Sequence, residues 1–242
     1  MIQVGPKDRV FVLTGAGISA ESGVPTFRDS DGLWQGHRVE EVATPEAWRR
    51  DPKLVWDFYS MRRRVAGEAK PNPAHMALAE LEASIGDRLL ICTQNVDDLH
   101  EQAGATRVLH MHGNLFQSRC ESCGRTPFLD RDVHEDKIPK CLACGGKIRP
   151  NIVWFGEVPL HLDRILRELE HCTIFVAVGT SGVVHPAASF IATAKLKGVV
   201  RTSCYVGLEE PANRILFNEI LLGNAGEILP GLFHCTAAKT RD

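Results

Sequence analysis

In the string His110-Met111-His112-Gly113-Asn114 a histidine stands directly before a glycine that leaves its face open. An imidazole titrating near pH ~6.5 suits a general base at neutral pH. Upstream, Thr93–His100 reads TQNVDDLH and gathers Gln94, Asn95, Asp97 and Asp98, groups able to hydrogen-bond hydroxyls and amides. The same residues could equally serve as helix caps, with Asn95 or Asp97 as N-cap of a helix running to Gln102. A third string, Gly15-Ala16-Gly17, follows the apolar run Val10–Leu13 and precedes a helix-forming stretch. A strand that delivers a glycine turn into a helix N-terminus is a place to hold a phosphate, because the backbone can come close and exposed N–H groups favour the anion. Gly179-Thr180-Ser181, within VGTSGVVHP, is a second small-residue turn after an apolar run, able to face a ribose or phosphate.

Cys120, Cys123, Cys141 and Cys144 form C-x2-C-x17-C-x2-C, with Gly124 and Gly145-Gly146 supplying tight turns. Two such knuckles wrap one tetrahedral zinc, and four sulfur ligands leave no open position for chemistry. The metal is therefore expected to be structural. Cys92, Cys172, Cys204 and Cys235 lie singly in apolar segments and read as buried small hydrophobes.

Apolar runs at Val10–Leu13, Leu89–Thr93, Val108–Met111, Ile152–Phe155, Thr173–Val178 and Ser203–Val206 read as strands. Asn72–Ile85, Leu160–Cys172, Pro186–Lys197 and Ala212–Leu222 read as helices between and after them. This alternation predicts an α/β fold, a Rossmann-like, doubly wound, mostly parallel sheet with ligands at the carboxyl ends of its strands. Two segments break the rhythm: residues 31–70, charged and helical with several tryptophans, and residues 117–150, which carry the cysteines. They predict a smaller inserted domain, a helical module plus a zinc module. Residues 1–30, 71–116 and 151–242 then form the main domain, with re-entry at Pro71-Asn72-Pro73 and Arg149-Pro150.

The glycine turn also fits the spacing of the dehydrogenase fingerprint, with Ala20 as its third small residue. No strand ending in an acidic residue follows about twenty residues on, which argues against a dehydrogenase. Instead come Gly23, Pro25, Phe27 and Arg28. The whole string TGAGISAESGVPTFR, Thr14 to Arg28, resembles the cofactor loop of the sirtuins, the NAD-dependent protein deacylases. TQNVDDLH, the His112 string, NIVWFGE at Asn151–Glu157 and VGTSG resemble further sirtuin motifs in the family's order, from Val10 to about Pro230.

The resemblance implies NAD as cofactor, held by Gly15, Ala16, Gly17, Ser19, Phe27, Arg28, Gln94, Asn95, Asp97, His112, Gly179, Thr180, Ser181 and the region of Gly207. It makes His112 the catalytic base, with Asn95 ordering the reactive geometry and Asp97 recognising the carboxamide. It leaves His110 structural. It implies that Val153, Phe155, Gly156 and Glu157 clamp an acylated-lysine protein or peptide, although an ordinary buried strand would read the same. The implied products are free lysine, nicotinamide and O-acyl-ADP-ribose. Two departures stand out: Thr26 where many sirtuins have aspartate, and Gly207 where the family places an asparagine near the adenosine ribose.

Tyr59 and Arg62 are three apart on one face of a helical stretch. A phenol and a guanidinium can bind a carboxylate, while Arg62-Arg63-Arg64 also reads as a solvated basic face. Tyr-x-x-Arg with Thr26 resembles the class III sirtuins, which accept succinyl- and malonyl-lysine. Two other readings compete, an ADP-ribosyltransferase of the same fold and a zinc-ribbon binding module without catalysis. The intact His112 and the substrate segment favour deacylation. A formal charge of −2 over 242 residues gives no electrostatic reason to bind nucleic acid or anionic membrane. No apolar run approaches the ~20 residues of a membrane span, and MIQVGPKDRV lacks a signal-peptide core, so a cytoplasmic protein is expected.

Overall fold

The structure, a computed structural model, describes residues 1–26, 34, 36–135, 137–197 and 199–236. Six strands, β2 (Val10–Thr14), β3 (Leu89–Thr93), β4 (Val108–His110), β8 (Ile174–Val178), β9 (Thr202–Gly207) and β10 (Glu219–Leu222), form one sheet in the order β10-β9-β8-β2-β3-β4. Every neighbouring pair in it is parallel. The chain therefore winds outward from β2 to β4, returns to β8 beside β2, and winds outward again to β10. This is the doubly wound order whose reversal, between β2 and β8, opens a crevice at the carboxyl ends of those strands.

Both faces of the sheet are covered, which is why its central strands are apolar throughout and not alternating. On one face Val10, Val12, Ile91 and Val176 pack with Leu78 and Leu81 of α5 (Pro73–Ile85) and Leu229. On the other, Phe11, Leu13 and Phe175 pack with Ile165 and Leu169 of α7 (Leu162–His171) and with Phe190 and Ile191 of α8 (Phe190–Leu196). Helix α5 begins at an Asn72 cap that accepts from the Ala74 amide, with Pro73 in the first turn, where its missing N–H costs nothing.

A third apolar cluster lies apart from these two faces. It joins α2 (Val39–Val42), α3 (Pro45–Arg50) and α4 (Pro52–Glu68) to an antiparallel sheet of β5 (Gly113–Cys120), β6 (Phe128–Leu129) and β7 (Ile148–Ile152). Trp56 of α4 donates to the Ile148 carbonyl at 3.0 Å. Arg63, only 2% exposed, donates to the Leu115 and Asp132 carbonyls, 2.6 Å each, and pairs with Asp130 at 3.3 Å. Among the described residues, no helix is long and apolar enough to cross a membrane.

Three sequence expectations are corrected here. Ala212–Leu222 is not a helix: a single 3-10 turn at Arg214–Leu216 leads into β10. Asn218 latches the chain to β9 through Ser203, accepting from its amide at 2.9 Å, and the apolar residues that follow find a ladder there. The run Ile152–Phe155 is not a strand either, since β7 ends at Ile152. The Val153 amide leaves the ladder for the His112 carbonyl, and the Trp154 amide goes to the Glu157 carboxylate. Cys235 is exposed, unlike Cys92, Cys172 and Cys204, which are buried. Two three-residue strands, β1 (Ile2–Val4) and β11 (Phe233–Cys235), pair in parallel and were too short to leave a sequence signal.

Candidate active site

A cavity of about 580 Å³ lies across the carboxyl ends of β2, β3 and β8 and reaches the third cluster. That volume falls within the roughly 300–1,000 Å³ of small-molecule and cofactor sites. Of the candidates for cofactor contact, Gly15, Ala16, Gly17, Ser19, Gln94, Asn95, Asp97, His112, Gly179, Thr180 and Ser181 line it. So do Tyr59, Arg62, Val153, Phe155, Gly156 and Glu157. Phe27 and Arg28 lie outside the described residues. Gly207 does not line the cavity, because the side chain of Tyr205 lies over it. Sequence reasoning missed Tyr205, Trp34 and Trp154, all in the wall.

The glycine turns do more than leave room for a ligand. A Cβ on Gly15 would lie 2.7 Å from the Gly179 carbonyl oxygen, and one on Gly17 would lie 2.7 Å from Gly179 Cα. The two turns interlock backbone to backbone, with the Gly15 amide donating to Val178 and the Gly17 amide to Gly179, 2.9 Å each. The amides of Ile18 and Ser19 also donate to main-chain carbonyls, and α1 (Gly17–Ala20) is a single turn. The expected row of exposed amides is thus largely spent within the fold. Side chains at the strand ends carry more of the site than the turn itself.

Those side chains form one network. Asn95 Nδ2 donates to Ser19 Oγ at 3.0 Å, and Ser19 in turn hydrogen-bonds Asp97. Asp97 is 4% exposed, and burial raises its pKa against the opposing bonds from the Leu99 amide and Ser19. Asp98, not Asn95 or Asp97, is the N-cap residue of α6 (Leu99–Gln102), although Asp97 Oδ1 accepts from the Leu99 amide at 3.3 Å. His110 bridges the Asn95 carbonyl at 3.1 Å and Glu101 Oε1 at 2.7 Å. Burial pulls the His110 pKa down, but Glu101 and the Asn95 carbonyl outweigh it and leave it raised. His110 is a brace for the Asn95 loop.

His112 is held differently. Its Nδ1 sits 3.1 Å from the Gln94 carbonyl, which can only accept, so Nδ1 carries the proton and Nε2 keeps its lone pair. Burial lowers its pKa, partly offset by that same carbonyl. A neutral imidazole with an available Nε2 is the form a general base needs. The glycine after it serves a purpose other than opening its face. Gly113 has φ +87°, and a Cβ there would run into the Asn151 carbonyl and lie 2.9 Å from Ile152 Cα as β7 passes.

At the third-cluster end of the cavity, the three arginines of α4 separate. Arg64 is exposed and pairs with Glu135, while Arg63 is the buried tie to β5. Arg62 turns into the cavity with its guanidinium 4.2 Å from the Trp34 ring centre. Its Nη1 is shielded from solvent and has no hydrogen-bond partner among the described residues. Tyr59 is fully buried beside it, its pKa pushed up to about 12 by burial against the pull of Arg62, and its Oη accepts from Trp154 Nε1 at 3.1 Å. Glu157 is committed to the fold: Arg149 holds both its oxygens at 2.7 and 2.9 Å, and the Trp154 amide donates to one of them.

The four knuckle sulfurs all lie within 4.8 Å of one another, with Cys120 and Cys144 at 3.5 Å and Cys123 and Cys141 at 3.6 Å. A zinc tetrahedron with ~2.3 Å bonds separates its sulfurs by roughly 3.8 Å, so the donor set fits zinc. None of the four lines the cavity.

Residues 15–186 match the Sir2 family. The chain belongs to that family. Among its relatives, an NAD-dependent protein deacylase of Caulobacter vibrioides is 49% identical over 227 residues, covering 92% of this chain and 94% of the relative. An NAD-dependent protein deacylase of Escherichia coli K12 is 49% identical over 226 residues, covering 93% and 80%. A crystal structure of a Sir2 homologue in complex with NAD superposes with a TM-score of 0.85 at 42% identity, covering 93% of this chain and 88% of that one. A Sir2 protein bound to acetylated peptide superposes with a TM-score of 0.77 at 27% identity, covering 91% and 90%. The Sir2 fold thus places the paired turns, the TQNVDD loop and His112 of this chain around one crevice.

Proposed function

We propose that this protein is an NAD-dependent protein-lysine deacylase that removes acetyl groups and, through Tyr59 and Arg62, succinyl and malonyl groups. Identity near half over almost the whole chain with curated deacylases supports the reaction class. The fit of NAD rests on the interlocked glycine turns and the strand-end network of Ser19, Gln94, Asn95 and Asp97. Bound NAD supplies a nicotinamide–ribose bond whose cleavage yields the acceptor for the acyl group. The protein's part is to fix that group and manage one proton. Asp97, protonated more readily because it is buried, is suited to pairing with a carboxamide. Asn95 and Gln94 offer amides to ribose hydroxyls. His112 takes a proton at Nε2.

The acyl preference is carried by one observation. Arg62 Nη1 is a buried donor with no partner among the described residues, in the same cavity as His112. A buried guanidinium N–H left unpaired is costly, and a carboxylate at the end of the acyl chain would satisfy it. Val153 and the half-exposed Phe155, which line the cavity just beyond β7, support a peptide lying along this rim. The third apolar cluster supports the division into a main domain and a smaller one carrying the cysteines. Mass spectrometry of acetyl-, succinyl- and malonyl-lysine peptides, incubated with and without NAD, tests the proposal. Loss of acyl groups only with NAD is expected. No loss from any of the peptides would overturn it.

A further inference from the structure

Tyr205 and Gly207 lie two residues apart on β9, so their side-chain positions share one face of the sheet. Tyr205 is buried, and its ring packs edge-on against Phe217 with centres 5.7 Å apart. The phenol leans along its own strand and donates from Oη to the Thr180 carbonyl, 3.0 Å away. A Cβ built on Gly207 would lie 2.8 Å from Tyr205 Cζ and closer still to Oη. Gly207 is not among the positive-φ glycines, so its backbone makes no demand for glycine. The tyrosine does.

The hydroxyl acts on a turn already singled out as part of the crevice. Thr180 is held on its other side by Gln94 Nε2, which donates to Oγ1 at 3.0 Å. One residue earlier, the Gly179 amide donates to Val206 at 2.8 Å and the Gly179 carbonyl accepts from Gly17. Tyr205 is therefore a side-chain tie between the turn after β8 and the strand beside it. It occupies the space that a side chain at 207 would need to enter the same crevice.

We propose that Tyr205 is a positioning residue for NAD: its hydroxyl sets the shape of the Gly179–Ser181 turn, and it does so only while residue 207 is glycine. This rests on the reading of the crevice as the NAD site. The two positions form one coupled unit, so a side chain at 207 is tolerated only when the phenol is removed.

The test measures NAD affinity by calorimetry, KM for NAD and for an acetylated peptide, kcat and melting temperature, on the full chain. Tyr205→Phe removes one neutral hydrogen bond, so Kd and KM for NAD should rise about 3- to 10-fold while peptide KM and melting temperature stay near wild type. Gly207→Ala should raise Kd for NAD by more than Tyr205→Phe does. In a Tyr205→Val background the same Gly207→Ala change should add little. Equal Gly207→Ala losses in both backgrounds would overturn the coupling. Unchanged NAD affinity in Tyr205→Phe, or a parallel rise in peptide KM with a lowered melting temperature, would overturn the positioning role. Wild-type protein that binds no NAD would remove the underlying site reading, and this proposal with it.

Discussion

The indole N–H of Trp154 donates to Tyr59 Oη at 3.1 Å, and this single bond decides which way the tyrosine can act. An indole nitrogen has no acceptor lone pair, so the phenol cannot return its proton to Trp154. The Tyr59 proton is directed elsewhere, and in the cavity it shares with Arg62 the proposed partner is the carboxylate of a succinyl or malonyl group. Trp154→Phe keeps an aromatic ring over Arg149 but removes the N–H. Desuccinylation should fall by about 2- to 10-fold in kcat/KM, the worth of one neutral hydrogen bond, with deacetylation little changed. In a Tyr59→Phe background the same substitution should add nothing. Equal losses on both peptides would mean that Trp154 only supports packing.

Arg62→Met tests the acyl preference directly. Removing one partner of a buried ion pair costs ~2–5 kcal/mol, so desuccinylation should drop at least roughly thirtyfold. Deacetylation should suffer far less, since an acetyl group has no carboxylate to lose. A wild-type enzyme inactive on succinyl-lysine would leave a plain deacetylase and remove any role for Arg62 in selectivity.

His112→Ala should reduce turnover by about 10²- to 10⁴-fold without loss of fold, the range for a general base. Burial holds its pKa below the ordinary 6.5, so the neutral base persists as pH falls toward that value. The acid limb of kcat/KM should therefore be centred below about 6.5, the ordinary imidazole value. An acid limb centred well above pH 7 would assign the controlling group elsewhere.

Zinc should be present at one ion per chain in protein purified without chelator. Cys141→Ser should release it and lower the melting temperature, because closed four-cysteine sites contribute folding energy outright. Cys141 is buried in the third cluster with Ile148 and Trp154, so the damage should reach Tyr59 and Arg62 before the NAD turns. Metal analysis without zinc would reject the assignment.

The sequence by itself determined five of the six strands of the central sheet, the four-cysteine cluster and most of the crevice, because each is a local pattern. Apolar runs make buried parallel strands, paired CxxC knuckles close a tetrahedron, and small-residue turns follow strand ends. Glu219–Leu222 was misread as helix for the opposite reason: four apolar-rich residues have no period of their own until β9 offers a ladder. Only the tertiary structure decided that Gly15, Gly17 and Gly179 lock against one another, and that Gly113 yields to β7. It alone divided three consecutive arginines among solvent, core and cavity. It also revealed the bonds from Trp154 to Tyr59 and from Tyr205 to the Thr180 carbonyl, neither of which any spacing announces. Spacing along the chain announces which groups are available. The direction of a hydrogen bond, and the volume a neighbour leaves, exist only once distant segments have met.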